Sequence, residues 1–581
     1  MSRKRPLWRP MAILVIVAAI LGSGDLPSSV VPAYAEKTAL PASTTADKKT
    51  PVLNNELGAY YLDVLTDWMQ KGYKPTTQAA ITIPGAALTS QADAKLAAVG
   101  SYEGKSGVLV WKSDRDNWIE YEVDVPQEGL YEMSMSYHPY NDPDKSGLSA
   151  NRHPAILALQ IDGLYPYREA RALTFRRKFK DDFPVKKAEN GDDIRPRPIE
   201  LSQWMNESMI DSAGGYSEPF QWYLTKGKHK LRFTGSSPIV IESFDLKPPA
   251  VLPDYKTVSM TSSYKQTDSA KDAVVPIVQA EQAAWKNDVA IQMVTNQDSM
   301  NVPKANGYAI FNSLGGNRWQ TGGQTAAWTI DVPETGLYRV AIRLFQGYAS
   351  NKSVFRTIAI DGKVPFKELL AYRFPYSIKW KGTVLGDEND KPFEFYLQKG
   401  THTLSMTATI GPFQPVIVQG ERVISLLRQV DEAIRAMNGG LVDKNRTWKV
   451  REEFPELPQQ MEEAKVELQK MADIMLAVNK QRDNTIQTIE TTLQDLNDYL
   501  KHPNEIPYHM DDVSSMIERI GGIREVLVRS PLLLDQIYTV PSGKSIPKME
   551  ANLWQRMSNS FQNFIYSFIR KDDINKVDGD T

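Results

Sequence analysis

The spacing of apolar and polar positions changes character three times along the chain. Around Leu57, Tyr60, Tyr61, Val64, Leu65 and Trp68, large apolar residues recur every three or four positions. This predicts one amphipathic helix, ended near Gly72 and Pro75. Between about Ile81 and Leu246 the period drops to two. Runs at 106–111, 118–125, 130–137, 155–161, 220–224 and 229–233 each fit a strand, with turn pairs such as Asp162-Gly163 and Lys226-Gly227 between them. After about 419 the helical period returns. Val423, Ile424, Leu427, Val430, Ile434 and Met437 form one stripe, closed by Gly439-Gly440. Met461, Ala464, Leu468, Met471, Met475 and Val478 form a heptad seam, and Ile486, Ile489, Leu493, Leu496 and Leu500 repeat it after a one-residue slip. That pair is either one long helix with an irregularity or a helical hairpin turning near 479–484. A further helix is expected over 509–528, and a terminal one carries Leu553, Trp554, Met557, Phe561, Phe564, Ile565 and Phe568.

One stretch of the strand region occurs twice. V-P-x-x-G-L-Y is spelled by Val125, Pro126, Gly129, Leu130 and Tyr131, and again by Val332, Pro333, Gly336, Leu337 and Tyr338. Alternating strands flank it, and Pro and Gly mark the turn, so a hairpin is expected at each copy. The match extends to Ile161-Asp162-Gly163 against Ile360-Asp361-Gly362, and to K-G-x-H-x-L at Lys226 and Lys399. The offset falls from 207 (333 − 126) to 199 (361 − 162) to 173 (400 − 227). Order is kept while loops shorten, as expected of one β module built twice.

The expected organisation is an export signal over 1–35, a flexible leader and short helix over 36–78, and a first sandwich with a basic insertion over 79–248. A linker over 249–274, a second sandwich over 275–418 and a helical domain over 419–581 complete it. The fold class is multidomain: two all-β antiparallel sandwiches followed by an α-helical bundle.

Composition narrows the partners. With 68 basic and 70 acidic residues the formal charge is −2, which gives no electrostatic reason to expect nucleic acid or an anionic membrane. There is no cysteine, which excludes disulfides, Cys-ligated zinc and a lipid anchor on cysteine. Arg3, Lys4, Arg5 and Arg9, a short apolar run over 11–22 and Ala33-Tyr34-Ala35 read as a cleavable signal. The mature protein is therefore expected outside the cytoplasmic membrane.

Catalytic constellations are sparse: no G-x-S-x-G, H-E-x-x-H or phosphate-binding loop occurs. His229 and His402 hold equivalent places in the two copies, as structural residues do. Asp114, Asp116 and Glu120, and Asp181, Asp182, Asp192 and Asp193, are close in sequence but read as turn positions rather than a catalytic pair. The chain is therefore expected not to be an enzyme. Carbohydrate binding needs less: exposed aromatic faces and planar hydrogen-bonding groups at a rim. Tyr102, Trp111, Asn117 and Tyr140 lie next to predicted turns and are the candidates. Trp118, Trp328 and Trp222 are assigned to packing. The insertion with Arg168, Arg171, Arg176, Arg177, Arg195 and Arg197 is expected to pack over one face or end of the sandwich, and Arg168 to Arg177 are expected in salt-bridged loop packing, with an acidic glycan as the other reading.

The order W-I-E-Y-E-V-D-V-P-x-x-G-L-Y, I-D-G and K-G-x-H-x-L resembles the galactose-binding-like jelly-roll sandwiches used as carbohydrate-binding modules. In many of those an early Ala-Glu pair supplies a structural calcium ligand. Gln279-Ala280-Glu281 matches, which implies calcium at Glu281, whereas the first copy reads Ile83-Pro84-Gly85-Ala86 and lacks the acid. The wider order resembles the N-terminal region of large extracellular solute-binding proteins of carbohydrate ABC transporters, of the type found in Paenibacillus and related Gram-positive bacteria. In that family a two-lobed solute-binding domain normally follows, and none is recognised here before Thr581. The resemblance implies a secreted, non-catalytic protein that binds oligosaccharide or polysaccharide, with a solute-binding domain or ABC permease as further partner. The other reading is a structural or assembly protein whose sandwiches and terminal helix bind protein at the cell surface.

Overall fold

Each V-P-x-x-G-L-Y segment carries the chain from one sheet of a sandwich to the sheet facing it. The structure, a computed structural model, describes residues 58–113, 117–142, 153–261, 264, 273–439 and 445–569; the signal and the start of the leader lie outside them. The strand Asn117–Val125 belongs to one sheet and Gly129–Pro139 to the other; Thr325–Val332 and Gly336–Gln346 divide in the same way. The expected hairpin is thus an arch. Alternation reports only that each strand has one buried face, and strands in facing sheets satisfy that as well as paired ones do. The tyrosine after the turn closes it: Tyr131 Oη donates to Gln127 O at 2.5 Å, and Tyr338 Oη to Glu334 O at 2.7 Å.

The first sandwich sets the strand path Met205–Ser208, Gly129–Pro139, Ile239–Lys247, Lys105–Trp111, Ala97–Tyr102 against a sheet centred on Asn117–Val125, Gly227–Gly235 and Ala155–Ile161. All these pairs are antiparallel. The expected first helix forms at Tyr61–Gln70 and packs Tyr61, Leu65 and Trp68 into this core. Tyr61 meets Tyr167, Tyr216 and Phe220 at ring separations of 4.8, 5.1 and 4.8 Å.

The basic insertion is the joint between the sandwiches. Its strands Phe179–Asp181 and Pro198–Glu200 extend a sheet of the second sandwich, Phe179 pairing with Lys286. Lys286 Nζ, buried, binds Asp181 at 2.7 and 2.9 Å and the Ile291 carbonyl at 2.9 Å. Arg195 donates to Met293 O at 2.8 Å and lies over Phe311 at 4.7 Å. Arg177 binds Glu200 and Asn141, both at 2.7 Å. Each of these arginines has a partner within the protein.

The second sandwich differs most from expectation. Its sheet runs Met293–Val294, Ser313–Gly316, Leu532–Pro541, Gly336–Gln346, Ser377–Val384. The middle strand lies at 532–541, inside the stretch assigned to helices. The bundle therefore does not simply follow the second sandwich; it is inserted before that sandwich's last strand. Helices Gln414–Asn438, Glu456–Asn479, Asn484–Lys501 and Met510–Leu527 form it around one apolar core. The seam of two heptad stretches resolves as a hairpin. Lys480 adopts the left-handed conformation (φ +59°), and Asp483 caps the next helix, accepting from Ile486 N at 2.9 Å.

Insertion through two adjacent chain crossings makes a stiff seam. Lys352 Nζ donates to the carbonyls of Val526 and Arg529, both at 2.5 Å, closing the C-terminal end of the last bundle helix. Asn479 accepts from Ser353 N at 2.7 Å, and Arg356, buried over Trp319 at 4.4 Å, binds Ser530 O at 2.8 Å. Burial holds the Lys352 ammonium down at about 8.

Candidate functional site

The four residues chosen from sequence separate into two pairs. Trp111 is fully buried, and its indole donates to Asn117 Oδ1 at 2.8 Å. Leu109 and Trp111 of the strand Lys105–Trp111 both face the core, and a buried indole N–H requires a partner, which Asn117 supplies. Trp111 and Asn117 are therefore packing residues, not ligand contacts. Position next to a turn was a poor guide to exposure.

Tyr102 and Tyr140 stay together on the outer side of the same sheet. Their rings are 5.9 Å apart, and Tyr102 Oη accepts from Asn141 N at 2.9 Å. Beside them lie His138, 5.2 Å from Tyr102, and Trp204, 5.4 Å from His138. Val108 and Val240 underlie this aromatic row. Tyr140 and His138 are buried, whereas Tyr102 and Trp204 are half-buried and reach solvent. Trp204 Nε1 donates to Glu103 O at 3.1 Å, and Lys105 Nζ stands 4.6 Å over its ring while pairing with Glu242 at 2.5 Å. Arg177 holds the far end by donating to Tyr140 O at 2.9 Å. Desolvation raises the Tyr102 phenol, so it remains a neutral donor and acceptor. The row offers ring surface flanked by an ammonium, a carboxylate and an amide, which is the donor and acceptor set a sugar ring needs. Trp204 was missed because it lies in the insertion, outside any alternating strand.

The tryptophans of the duplicated stretch are not equivalent. With the proline offset of 207, Trp328 corresponds to Tyr121 (328 − 207), not to Trp118. Both residues anchor the start of their module: Tyr121 Oη donates to Gly85 O, and Trp328 Nε1 to Ala280 O, each at 2.9 Å. Trp118, expected in the packing, is half-buried under Arg232 at 4.2 Å. His229 and His402 make the same bond, Nδ1 to Asp162 and to Asp361, each at 2.7 Å.

The carboxylates lie in structural positions. Glu120 pairs with Arg232 at 2.8 Å, Asp181 with Lys286, and Asp192 and Asp193 each accept at 2.7 Å from Ala309 N and Phe311 N; Asp114 and Asp116 lie outside the described residues. Among the described residues, no three His, Asp or Glu gather as a metal group. Glu281 does have an acidic neighbour. Ala280 N donates to Asp535 O at 2.8 Å, and both side chains are buried. Glu281 Oε2 and Asp535 Oδ1 lack hydrogen-bond partners. Burial pushes Glu281 up to about 8, with the Asp535 charge adding to it; burial also pushes Asp535 to about 6, against the pull of Arg343. Two orphaned carboxylate oxygens fit a hard cation such as calcium in charge and donor type, with carbonyls and water completing its six to eight oxygens.

Fold and site together define a multidomain, sandwich-based protein with an aromatic surface row and a helical bundle set into its second sandwich. Residues 415–526 match the four-helix bundle domain of bacterial solute-binding proteins. No curated protein matches the chain. Among solved structures it is similar to a Podospora anserina β-(1,4)-mannanase carrying a family 35 carbohydrate-binding module, at 12% identity and a TM-score of 0.18, covering 32% of this chain and 33% of that one. A Paenibacillus xanthan lyase is similar at 14% identity and a TM-score of 0.17, over 55% of this chain and 24% of that one. A family 35 carbohydrate-binding module from Cellvibrio japonicus is similar at 10% identity and a TM-score of 0.17, over 30% of this chain and 96% of the module. The chain thus spans a third or less of the length of the first two.

Proposed function

We propose that this is a non-catalytic carbohydrate-binding protein acting outside the cytoplasmic membrane, as an accessory to or part of sugar capture by an ABC importer. The observation that carries the reading is the match of residues 415–526 to the bundle domain of bacterial solute-binding proteins. The row Tyr140–Tyr102–His138–Trp204 gives it a place, and the shared arch, anchor and His–Asp bonds support descent of the sandwiches from one module. No helix among the described residues is long and apolar enough to cross a membrane. A sugar stacks on Tyr102 and Trp204, accepts hydrogen bonds from Lys105 and the Asn141 amide, and donates a hydroxyl to Glu242. Base–ring and ring–sugar stacking alike depend on exposed aromatic area, so truncating one ring costs about 1–2 kcal/mol, roughly tenfold in affinity. Calorimetric titration of the whole protein with neutral and acidic oligosaccharides should therefore show weaker binding in Trp204→Ala, with its melting temperature kept. Absence of sugar binding in the unaltered protein defeats the proposal.

Glu281 and Asp535 hold a structural calcium in this reading. An ion at a hundred times its dissociation constant stabilises the fold by about 2.7 kcal/mol, which is several degrees of melting temperature. Calcium added to chelator-treated protein should give that rise, and Glu281→Gln should abolish it. Equal melting with and without calcium removes the ion from the scheme.

The assembly reading also has an observation behind it. In the terminal helix Leu553–Ile569, Trp554, Phe561 and Phe564 are 77, 65 and 60% exposed, a larger apolar face than a solvated helix ordinarily shows. A protein partner is the occupant this reading assigns to that face.

A further inference from the structure

The insertion of the bundle creates a cleft that neither unit has alone. It encloses about 480 Å³ between loops of the second sandwich and the ends of two bundle helices. Asn317, Gln320 and Tyr348 line it from the sandwich; Asn484, Thr488 and Arg519 line it from the bundle. Tyr348 is 41% exposed, and its ring meets the edge of Phe345 at 5.6 Å and 88°. Gly316 (φ +62°) lets the tyrosine lie close, since a Cβ there would stand 2.9 Å from its hydroxyl.

The charged groups of the walls are largely committed. Lys352 is bound to two helix-end carbonyls, Asp483 caps the helix Asn484–Lys501, and Arg519 Nη2 pairs with Asp495 at 2.5 Å. Glu525 and Arg529, of opposite sign, complete the lining. What remains is one aromatic ring, the amides of Asn317, Gln320 and Asn484, the hydroxyls of Ser350, Thr485 and Thr488, and an apolar side of Ile523, Val526 and Pro531. Charges that are mostly committed (three cations against two carboxylates), a ring and convergent planar donors suit a neutral sugar better than an anionic one, and the volume is in the range of small-molecule sites, about 300–1,000 Å³.

We propose that this cleft is a second saccharide site, taking one end of a neutral oligosaccharide between Tyr348 and the amides of Asn317 and Asn484. The site is separate from the aromatic row of the first sandwich, although its ligand class rests on the carbohydrate reading. Because the walls are fixed to each other through Lys352, Asn479 and Arg356, the cleft is preformed, and little ordering cost accompanies binding. With two sites on one rigid chain, a long glycan gains avidity over a short one.

The test uses the whole protein with cellohexaose, mannohexaose, xylohexaose and trigalacturonate, read by calorimetry and by hydrogen exchange. A neutral hexasaccharide should bind at two sites and slow exchange in the segments 346–352 and 484–488. Tyr348→Ala and Asn484→Ala should each weaken one of the two sites by tenfold or more, while Trp204→Ala weakens only the other. These cleft residues are solvent-facing, so unchanged thermal melting checks that the variants fold. Binding that Trp204→Ala abolishes and Tyr348→Ala leaves intact overturns the cleft but spares the first site. Protection by trigalacturonate alone overturns the neutral ligand class. No binding of any of the four overturns both sites.

Discussion

A chain ended after Ser530 should lose the second sandwich, whereas one ended after Asn552 should keep it. The ten residues of Leu532–Pro541 are all buried. They pair with Gly336–Gln346 on one side and with Ser313–Gly316 and Ile277–Gln279 on the other. Leu532, Leu534 and Ile537 enter the main core, while Tyr538 and Val540 pack against Ala341 and Met549. Deleting one buried Leu or Ile side chain costs about 2–5 kcal/mol, and five such losses, about 10–25 kcal/mol, match or exceed the roughly 5–15 kcal/mol of an ordinary domain. Calorimetry should show one fewer cooperative transition for the shorter chain, and hydrogen exchange should show residues 277–409 unprotected. A full transition in the chain ended at 530 would mean that the strand is an accessory. The chain ended at 552 removes residues 553–581, whose helix is bonded to the second sandwich through Asn559 and Asn563 to Gln297 O. It should melt as the intact protein does, and loss of a protein partner from it alone would favour the assembly reading.

That strand also shows where the sequence stops being legible. Its run, Leu532-Leu533-Leu534-Asp535-Gln536-Ile537, has no period of two, because both faces are covered, and it follows 114 residues of helical bundle and connections (414–527) in the chain. The outer strands and the bundle helices were readable for the opposite reason: each has one wet face, so alternation or a heptad stripe survives. Arch and hairpin could not be told apart, because partner identity is a long-range fact that local alternation does not encode. The same limit applies to the site. Tyr102 and Tyr140 were legible as aromatics near turns, but so was Trp111, which points inward. Trp204 and the cleft residues Tyr348 and Asn484 come together only through the insertion and the bundle crossing. The basic insertion looked like a charged loop, and only its partners Lys286, Met293 and Phe311 across the joint show that it fastens two sandwiches.

Arg343→Met should destabilise the second sandwich by about 3–5 kcal/mol, the usual cost of leaving a buried charge without its partner. Arg343 is 1% exposed. Nη1 donates to Asp535 at 2.6 Å and Asn301 at 2.7 Å, Nε to Met549 O at 2.9 Å, Nη2 pairs with Asp298, and the guanidinium lies 4.5 Å over Trp380. One side chain therefore ties the middle strand to the loop around Asn301 and to the segment after the strand. Lysine cannot replace it, since a single ammonium lacks the planar fork that reaches these acceptors together. Arg343→Lys should recover little of the loss. Asp535→Asn in the Arg343→Met background removes the stranded carboxylate, so the double variant should be more stable than the sum of the two single losses implies. Urea midpoints of the four proteins measure this directly. A single-variant cost below about 1 kcal/mol, the range of a solvent-screened pair, would show that the carboxylates find another counter-charge. The calcium proposed above for Glu281 and Asp535 would be such a charge. Repeating the series with chelator distinguishes the two, because a metal that compensates for the lost guanidinium must be removable.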